Sequence, residues 1–140
     1  MKRLVCCLDG TWNDDVKASA RTNIVKLHRS VLVADTSGVG QVSEYIVGIA
    51  TTEGQRAQFL RGAIGLEVRD RIWRGYQFLI DNYEPGDEIY LFGFSRGAFE
   101  ARSLASLIAI FGIPRRDGAF ALDDAWKLYR KPEKRRDFDK

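Results

Sequence analysis

The amino-acid sequence predicts an α/β protein in which a doubly wound parallel sheet lies between helices in three layers. Three short apolar runs, at 4–8, 42–47 and 88–92, have the length and composition of buried strands. Helical periodicity separates these runs, and each of them ends at a glycine-containing turn. Because parallel strands are joined by right-handed crossovers, this alternation favours a single parallel sheet.

The first half of the chain supplies two of the strands and one helix. The run at 4–8 stops at an aspartate and a glycine, which favour a turn. Thr22 is a suitable N-cap for a helix whose apolar face extends to about Asp35. The second strand follows at 42–47.

The second half continues the alternation. Apolar residues at helical spacing predict a long helix from about Leu60 to Asn82, ended by a Pro-Gly turn. The strand at 88–92 leads directly into a helix from Arg96 to Phe111. We expect residues 1–131 to form one partial domain, truncated after this helix region, and residues 132–140 to form a charged tail.

Composition and charge describe one soluble globular domain. The chain has 140 residues, of which 45% are hydrophobic and 29% charged, with a formal charge of +3. Residues 1–114 carry 13 basic and 13 acidic side chains, so the basic excess lies in residues 115–140. We therefore expect no nucleic-acid partner. Binding of RNA or an anionic membrane surface through 127–136 is the weakest alternative.

Cysteine usage and hydropathy indicate a cytoplasmic protein. Cys6 and Cys7 are adjacent in a strand, where their side chains point to opposite faces and a mutual disulfide would be strained. The apolar run near the N-terminus is too short for a signal peptide, and no transmembrane segment is expected. No metal or cofactor is predicted, because one histidine and two strand-borne cysteines do not supply four zinc ligands.

Residues 93–97 have the spacing Gly-x-Ser-x-Gly, directly after a predicted strand and before a predicted helix. In a nucleophile elbow the serine, here Ser95, occupies a strained backbone conformation at the tip of this turn. Gly93 and Gly97 would avoid collisions across the turn. The helix that begins at Arg96 would direct its first amides toward a developing oxyanion.

A second turn with functional potential is Asp-Gly-Thr-Trp-Asn at 9–13, after the first strand. Ligands of doubly wound sheets bind where the strand order reverses, at the carboxyl ends of the strands. If the strand order is second, first, third, then Gly10 and Thr11 flank Ser95. Their amides would then complete an oxyanion hole with the amide of Arg96.

The alternative for this turn is purely structural. Asp9 and Asn13 have side chains that commonly accept hydrogen bonds from nearby backbone amides. In that case the two residues only cap the loop internally.

The motifs together resemble a known family. They are the stretches at 9–13, 45–48 and 83–98, with Ala101 and Arg102. This combination resembles the uncharacterised α/β-hydrolase family that includes the catalytic domain of type VI secretion lipase effectors. The resemblance implies a serine esterase, for characterised members a phospholipase, with Ser95 as nucleophile and an acyl ester or lipid as substrate. An effector of this kind would be delivered by a secretion system that needs no signal peptide.

The chain departs from that family in ways that bear on activity. Family members continue into a strand that carries the triad aspartate and then to a histidine, so a downstream polypeptide is expected to supply both. The loop at 48–51 reads Gly-Ile-Ala-Thr and lacks one of the family's glycines.

The single histidine does not fit the missing role. His28 precedes Ser95 in the chain, whereas the base of this architecture follows the nucleophile. We expect His28 on the first helix, away from the carboxyl ends of the strands. The chain alone is therefore predicted to be inactive or weakly active, and a non-catalytic binding module or pseudo-enzyme is the alternative function.

Other side chains have structural interpretations. Arg96 either binds a phosphate head group or forms an i, i+4 ion pair with Glu100 on an exposed helix face, and the ion pair is favoured. Trp12 and Trp73 are predicted to be packing residues.

Overall fold

A computed structural model describes residues 1–10, 22–48 and 64–116, together with residues 126, 127 and 129. The predicted α/β class is confirmed, because strands and helices alternate along the described chain. The elements are β1 (Arg3–Leu8), α1 (Asn23–Ser30), β2 (Gln41–Ile46), α2 (Ile64–Asn82), β3 (Glu88–Gly93) and α3 (Arg96–Phe111). The predicted beginning of α2 near Leu60, the charged tail and Trp12 lie outside the described residues.

The three described strands form a parallel sheet, as the sequence predicts, and their order is β2-β1-β3, which meets the condition set for the two turns to adjoin. Leu8, the last residue of the central strand, pairs with Ile46 on one side and with Gly93 on the other. The chain therefore moves outward in one direction from β1 to β2 and in the other to β3. The carboxyl ends of β1 and β3 form the point of reversal.

Alternation along β1 divides the core between the two faces of the sheet. Leu4, Cys6 and Leu8 belong to a cluster with the buried side chains of α2 and α3, whereas Val5 and Cys7 pack with α1. Both cysteines are buried and unpaired, as predicted. Burial raises the pKa of Cys6 to about 12 and that of Cys7 to about 11, so both thiols stay protonated.

Helix α1 begins as predicted but ends earlier. Thr22 caps it by accepting a hydrogen bond from the Val25 amide at 3.2 Å. The prediction that the helix reaches Asp35 is wrong, because Val31 is extended (φ −70°, ψ 116°). The Asp35 carboxylate instead accepts hydrogen bonds from the amides of Ser37 and Val39 and closes a turn before β2.

The other two helices cover the opposite face. The inward side chains of α2 and α3 form the larger core cluster: Val68, Ile72, Tyr76, Leu79, Ala101, Leu104 and Leu107. The predicted packing role of Trp73 is confirmed, since its ring lies against this cluster, 5.6 Å from the ring of Trp126. In the described part of the chain, no helix has the length and hydropathy to cross a membrane.

Candidate functional site

Ser95 stands at the junction of β3 and α3 in a backbone conformation that side chains rarely adopt. Its φ is 55° and its ψ −121°, and among the described residues it alone combines a positive φ with a side chain. Such conformations cost about 1–3 kcal/mol and cluster at functional sites. Ser95 occupies the N-cap position of α3, yet its hydroxyl makes no capping hydrogen bond. The strained, exposed hydroxyl does not serve the helix.

The glycines on either side of Ser95 are required by close backbone packing. A Cβ atom on Gly97 would lie 2.2 Å from the carbonyl oxygen of Leu8. A Cβ atom on Gly93 would lie 2.2 Å from the carbonyl oxygen of Gly97. Both distances are far below van der Waals contact, and the opposing atoms are backbone. The ends of β1 and β3 and the first turn of α3 therefore pack main chain against main chain.

Two hydrogen bonds fix the turn itself. The Phe94 amide donates to the carbonyl of Leu8 at 3.2 Å, and the Ala98 amide donates to the carbonyl of Ser95 at 3.0 Å. The first amides of a helix have no partner within the helix, and they carry its positive dipole end. The N-terminus of α3 thus presents an environment suited to a developing negative charge beside Ser95.

Asp9 lies at the other side of the reversal point and is completely buried. Its Oδ1 accepts a hydrogen bond from the Gly10 amide at 2.7 Å. Its Oδ2 accepts hydrogen bonds from the hydroxyls of Thr22 and Tyr45, each at 2.7 Å. These contacts are those of the structural alternative for Asp9, because they tie the end of β1 to α1 and β2. The oxyanion role of Gly10 stays a prediction; in this conformation its amide is bonded to Asp9.

The remaining residues of this turn cannot be placed in the same way. Thr11 and Asn13 lie outside the described residues. The structure therefore brings the backbone of Asp9 and Leu8 against the turn that carries Ser95, and the roles predicted for Thr11 and Asn13 stay predictions.

A buried ion pair between Arg71 and Glu100 underlies the same edge of the sheet. The Nε atom of Arg71 donates to Oε2 of Glu100 at 2.9 Å, and the exposed fractions of the two side chains are 10% and 0%. The prediction that Glu100 lies on an exposed helix face, paired with Arg96, is wrong. Glu100 points into the molecule, where a residue of α2 supplies the partner.

Burial and charge oppose each other in this cluster. Burial raises the pKa of Glu100 above its usual range, while the nearby guanidinium of Arg71 and, more weakly, that of Arg96 lower it. Burial lowers the pKa of Arg96, and the charge of Glu100 raises it. The candidate site thus contains two arginines and one buried carboxyl group within electrostatic range of each other.

The single histidine is not brought to Ser95. Its ring is half-buried on α1 and lies 5.5 Å from the ring of Tyr45. His28 is the sixth residue of α1, which begins beside Asp9, and its contact with Tyr45 places it against β2. The expectation that His28 is not the general base stays a prediction.

Large apolar side chains near Ser95 remain in contact with solvent. Phe94 is 52% exposed and Phe99 is 60% exposed. Neither phenylalanine was predicted to be a site residue, although Phe94 lies inside the Gly-x-Ser-x-Gly turn and Phe99 follows it by two residues. Apolar surface at a candidate catalytic serine suits an apolar substrate.

A concave surface of about 330 Å³ lies elsewhere, between α1 and β3. Its lining includes Val5, Leu27, Tyr90 and Phe92 but not Ser95. The described residues include no group of three or more side chains suited to hold a metal ion.

Together, the parallel sheet and the serine turn at its reversal point define an α/β domain with a candidate catalytic edge. The chain belongs to the family of type VI secretion system, phospholipase effector Tle1-like, catalytic domains, whose model matches residues 2–140. The part of the predicted resemblance that concerns type VI secretion phospholipase effectors is thereby confirmed.

The chain also has a curated relative. It is 33% identical over 143 residues to the uncharacterized protein YEL023C of Saccharomyces cerevisiae, an alignment that covers 94% of this chain and 21% of the relative. The chain thus spans about a fifth of the length of the curated relative that it matches. No solved structure matches it.

Proposed function

We propose that this chain forms the nucleophile-bearing part of an α/β-hydrolase-like serine hydrolase that cleaves acyl esters of lipids, with phospholipids as the substrate class. The observation that carries the proposal is the strained Ser95, held between two glycines at the reversal point of the sheet. Membership of a phospholipase effector family supports the lipid substrate.

In the proposed reaction the Ser95 hydroxyl attacks the ester carbonyl and loses its proton to a general base. The amide of Arg96, with that of Gly10 or Thr11, stabilises the negative charge on the carbonyl oxygen. The tetrahedral intermediate expels the alcohol, which takes up the proton, and water then releases the fatty acid from Ser95.

The general base is not provided by the described site. The one histidine of the 140 residues lies on α1, and serine hydroxyls need a base to become nucleophilic. We therefore propose that an aspartate and a histidine come from polypeptide outside these residues.

The exposed apolar side chains support a lipid rather than a polar ester. Phe94 precedes the nucleophile and Phe99 follows it by about one helical turn, and both are more than half exposed. An acyl chain bound against these rings would lose contact with water, which favours binding.

A non-catalytic binding module is the second candidate function. The observation that favours it is the engagement of the Gly10 amide by Asp9, which leaves that amide unavailable to an oxyanion in this conformation. The surface around Ser95 would then bind a lipid or ester without cleaving it.

Labelling with a fluorophosphonate probe tests the proposal. The protein is expressed from its complete natural reading frame, together with any polypeptide that co-purifies. We expect phosphonylation at Ser95, its loss in Ser95→Ala, and normal labelling in Ser106→Ala, whose hydroxyl is bonded to the Arg102 carbonyl of the same helix. Absence of labelling, or labelling unchanged by Ser95→Ala, would favour the binding module.

A further inference from the structure

Arg71 joins three elements at the carboxyl edge of the sheet. Its Nη2 atom donates to the carbonyl oxygen of Asp9 at 2.6 Å, and its Nη1 atom donates to the carbonyl oxygen of Val47. Its Nε atom donates to Glu100 on α3 at 2.9 Å. One side chain therefore holds the ends of β1 and β2 and the helix that begins beside Ser95.

These contacts require the shape of an arginine. A guanidinium is planar and directs its N–H groups along fixed, divergent lines, so it can reach two carbonyls and a carboxylate together. A lysine carries the same charge on a single nitrogen atom. It could keep the attraction to Glu100 but could not span both strand ends.

The bond to Asp9 also determines the orientation of a neighbouring amide. The carbonyl of Asp9 and the N–H of Gly10 belong to one peptide unit, which is planar and trans. Fixing the carbonyl therefore fixes the direction of the Gly10 N–H, which in this conformation donates to the Asp9 carboxylate. Gly10 is one of the residues whose amides are proposed for the oxyanion hole, a role that requires this amide to leave Asp9.

Glu100 attaches this arrangement to the nucleophile's helix. Its carboxylate is fully buried, and its Oε2 atom contacts two nitrogen atoms of Arg71, Nη2 at 2.8 Å and Nε at 2.9 Å. Buried ion pairs seldom stabilise a fold more than apolar side chains of similar size would, because desolvation offsets their attraction. The presence of the buried Arg71–Glu100 pair is therefore better explained by the backbone positions that it maintains.

We propose that Arg71 is a positioning residue that holds the Asp9–Gly10 peptide in register with the first turns of the helix behind Ser95. The catalytic part of this inference rests on the proposed hydrolase function. Arg71 does not touch the reacting atoms. It acts through the peptide of Asp9 and through Glu100.

The test compares Arg71→Lys with Arg74→Lys in the protein from its complete reading frame. Arg74 lies on the same helix and pairs with Glu44 at 2.7 Å, but its side chain is 56% exposed. Amide hydrogen exchange is measured at Gly10 and Gly48, which follow the two carbonyls that Arg71 holds. The rate constant for fluorophosphonate labelling of Ser95 is measured in parallel.

In Arg71→Lys we expect exchange at both amides to accelerate about tenfold or more and Ser95 labelling to slow about tenfold or more, because small misplacements at a site reduce reactivity strongly. Arg74→Lys should leave both within about twofold of the wild type, as expected for an exposed pair. Wild-type NMR provides a check that needs no variant. The Nε–H of Arg71 should exchange slowly, and a mobile guanidinium would overturn the inference even if Arg71→Lys failed to fold.

The outcomes separate this inference from the proposed function. A reactive Ser95 that Arg71→Lys leaves unchanged overturns the inference and keeps the hydrolase. Unchanged exchange at Gly10 and Gly48 overturns it whatever the reactivity. A wild-type protein that never labels at Ser95 contradicts the hydrolase and the catalytic part of the inference, while the exchange data still decide whether Arg71 holds the strand ends.

Discussion

At the amino edge of the sheet Lys2 pairs with Asp87 at 2.6 Å, and their side chains are 25% and 1% exposed, whereas at the carboxyl edge those of Arg71 and Glu100 are 10% and 0% exposed. The Asp87 carboxylate also closes a turn by accepting a hydrogen bond from the Glu84 amide. At the carboxyl edge the charged groups hold strand ends and a helix instead. The amino-edge contacts are accounted for by turn formation, but those at the carboxyl edge accompany a strained serine.

At the carboxyl edge the molecule maintains a strained residue and a buried charge that folding alone does not require. Ser95 occupies an unfavourable backbone conformation without capping its helix, and Glu100 loses its hydration. Both are unfavourable by themselves, and both lie near the reversal point of the sheet. Strain and buried charge at one place are typical of sites selected for function.

The largest expected effect comes from Gly97→Ala. The added methyl group would overlap the Leu8 carbonyl, and neither backbone can withdraw without separating α3 from β1. We expect a loss of more than about 3 kcal/mol in the free energy of unfolding, or no folded protein. Gly40→Ala is the control, since no atom lies within 4 Å of the added methyl position. Urea unfolding checks both, and similar stabilities would show that the packing at the serine turn is less tight than described.

Arg71→Met should have the next largest effect, of about 3–5 kcal/mol, because it leaves a buried carboxylate without its partner. Arg74→Met, which breaks an exposed pair, should cost about 0–1 kcal/mol. Urea unfolding at neutral pH gives both values. Equal losses would remove the distinction between buried and exposed charge on this helix.

The loss of unfolding free energy caused by Arg71→Met should also depend on pH. Burial already raises the pKa of Glu100, and removal of Arg71 raises it further. Above the unfolded pKa of about 4.3, the unfolded chain releases a proton that the folded variant retains. Folding therefore weakens as pH rises, by up to about 1.4 kcal/mol per pH unit until the folded pKa is reached. Arg71→Met should be more destabilised at pH 8 than at pH 5, and an equal loss at both would contradict this interpretation.

The pattern of residue types along the sequence predicts the strands and the serine turn well, because both depend on neighbouring residues in the chain. An apolar run such as Leu4–Leu8 is buried on both faces, and glycines at the spacing of 93 and 97 permit close packing. Helix α1 was predicted too long, because the apolar spacing continues beyond Ser30, whereas the backbone is already extended at Val31.

Arg71 could not be predicted in the same way. Its partners, Asp9, Val47 and Glu100, lie 62, 24 and 29 residues away along the chain. Glu100 has the spacing of an i, i+4 partner for Arg96, so local reasoning places it on the helix surface. Only the packing of α2 against α3 shows that it points inward. An acidic residue within the apolar helix that follows the serine was the available signal.

A smaller effect of opposite sign is expected for Ser95→Gly. Glycine adopts φ 55° and ψ −121° without the penalty that a Cβ atom causes, so the variant should be more stable by about 1–2 kcal/mol. Ser95→Ala keeps the Cβ atom and should leave stability nearly unchanged. Thermal and urea unfolding test this pair of variants. If Ser95→Gly were no more stable than Ser95→Ala, the turn would not be strained.

The smallest effect is expected at the amino edge. Burial would raise the pKa of Asp87, but hydrogen bonds from Lys2 and from the Glu84 amide lower it to about 2. A lowered pKa means that the carboxylate stabilises the fold above its unfolded pKa of about 3.9 and that this contribution disappears as pH falls toward 2. Asp87→Asn should reduce stability at neutral pH by an amount on the order of 1 kcal/mol.

The acid dependence distinguishes Asp87 from other carboxylates. Urea unfolding between about pH 4 and pH 2 should show a flatter pH dependence in Asp87→Asn than in the wild type. Asp70→Asn, which alters a side chain that is 65% exposed, should keep the wild-type slope. The same slope in all three proteins would show that the pair with Lys2 does not contribute.

Release of fatty acid from phospholipid vesicles tests the central claim most directly, that Ser95 is the nucleophile of a lipid hydrolase. The protein from its complete reading frame is compared with its Ser95→Ala and Ser106→Ala variants, after all three are shown to have the same stability. The account predicts release by the wild type and by Ser106→Ala and none above background with Ser95→Ala. Equal release by all three proteins, or release by none of them, would contradict it.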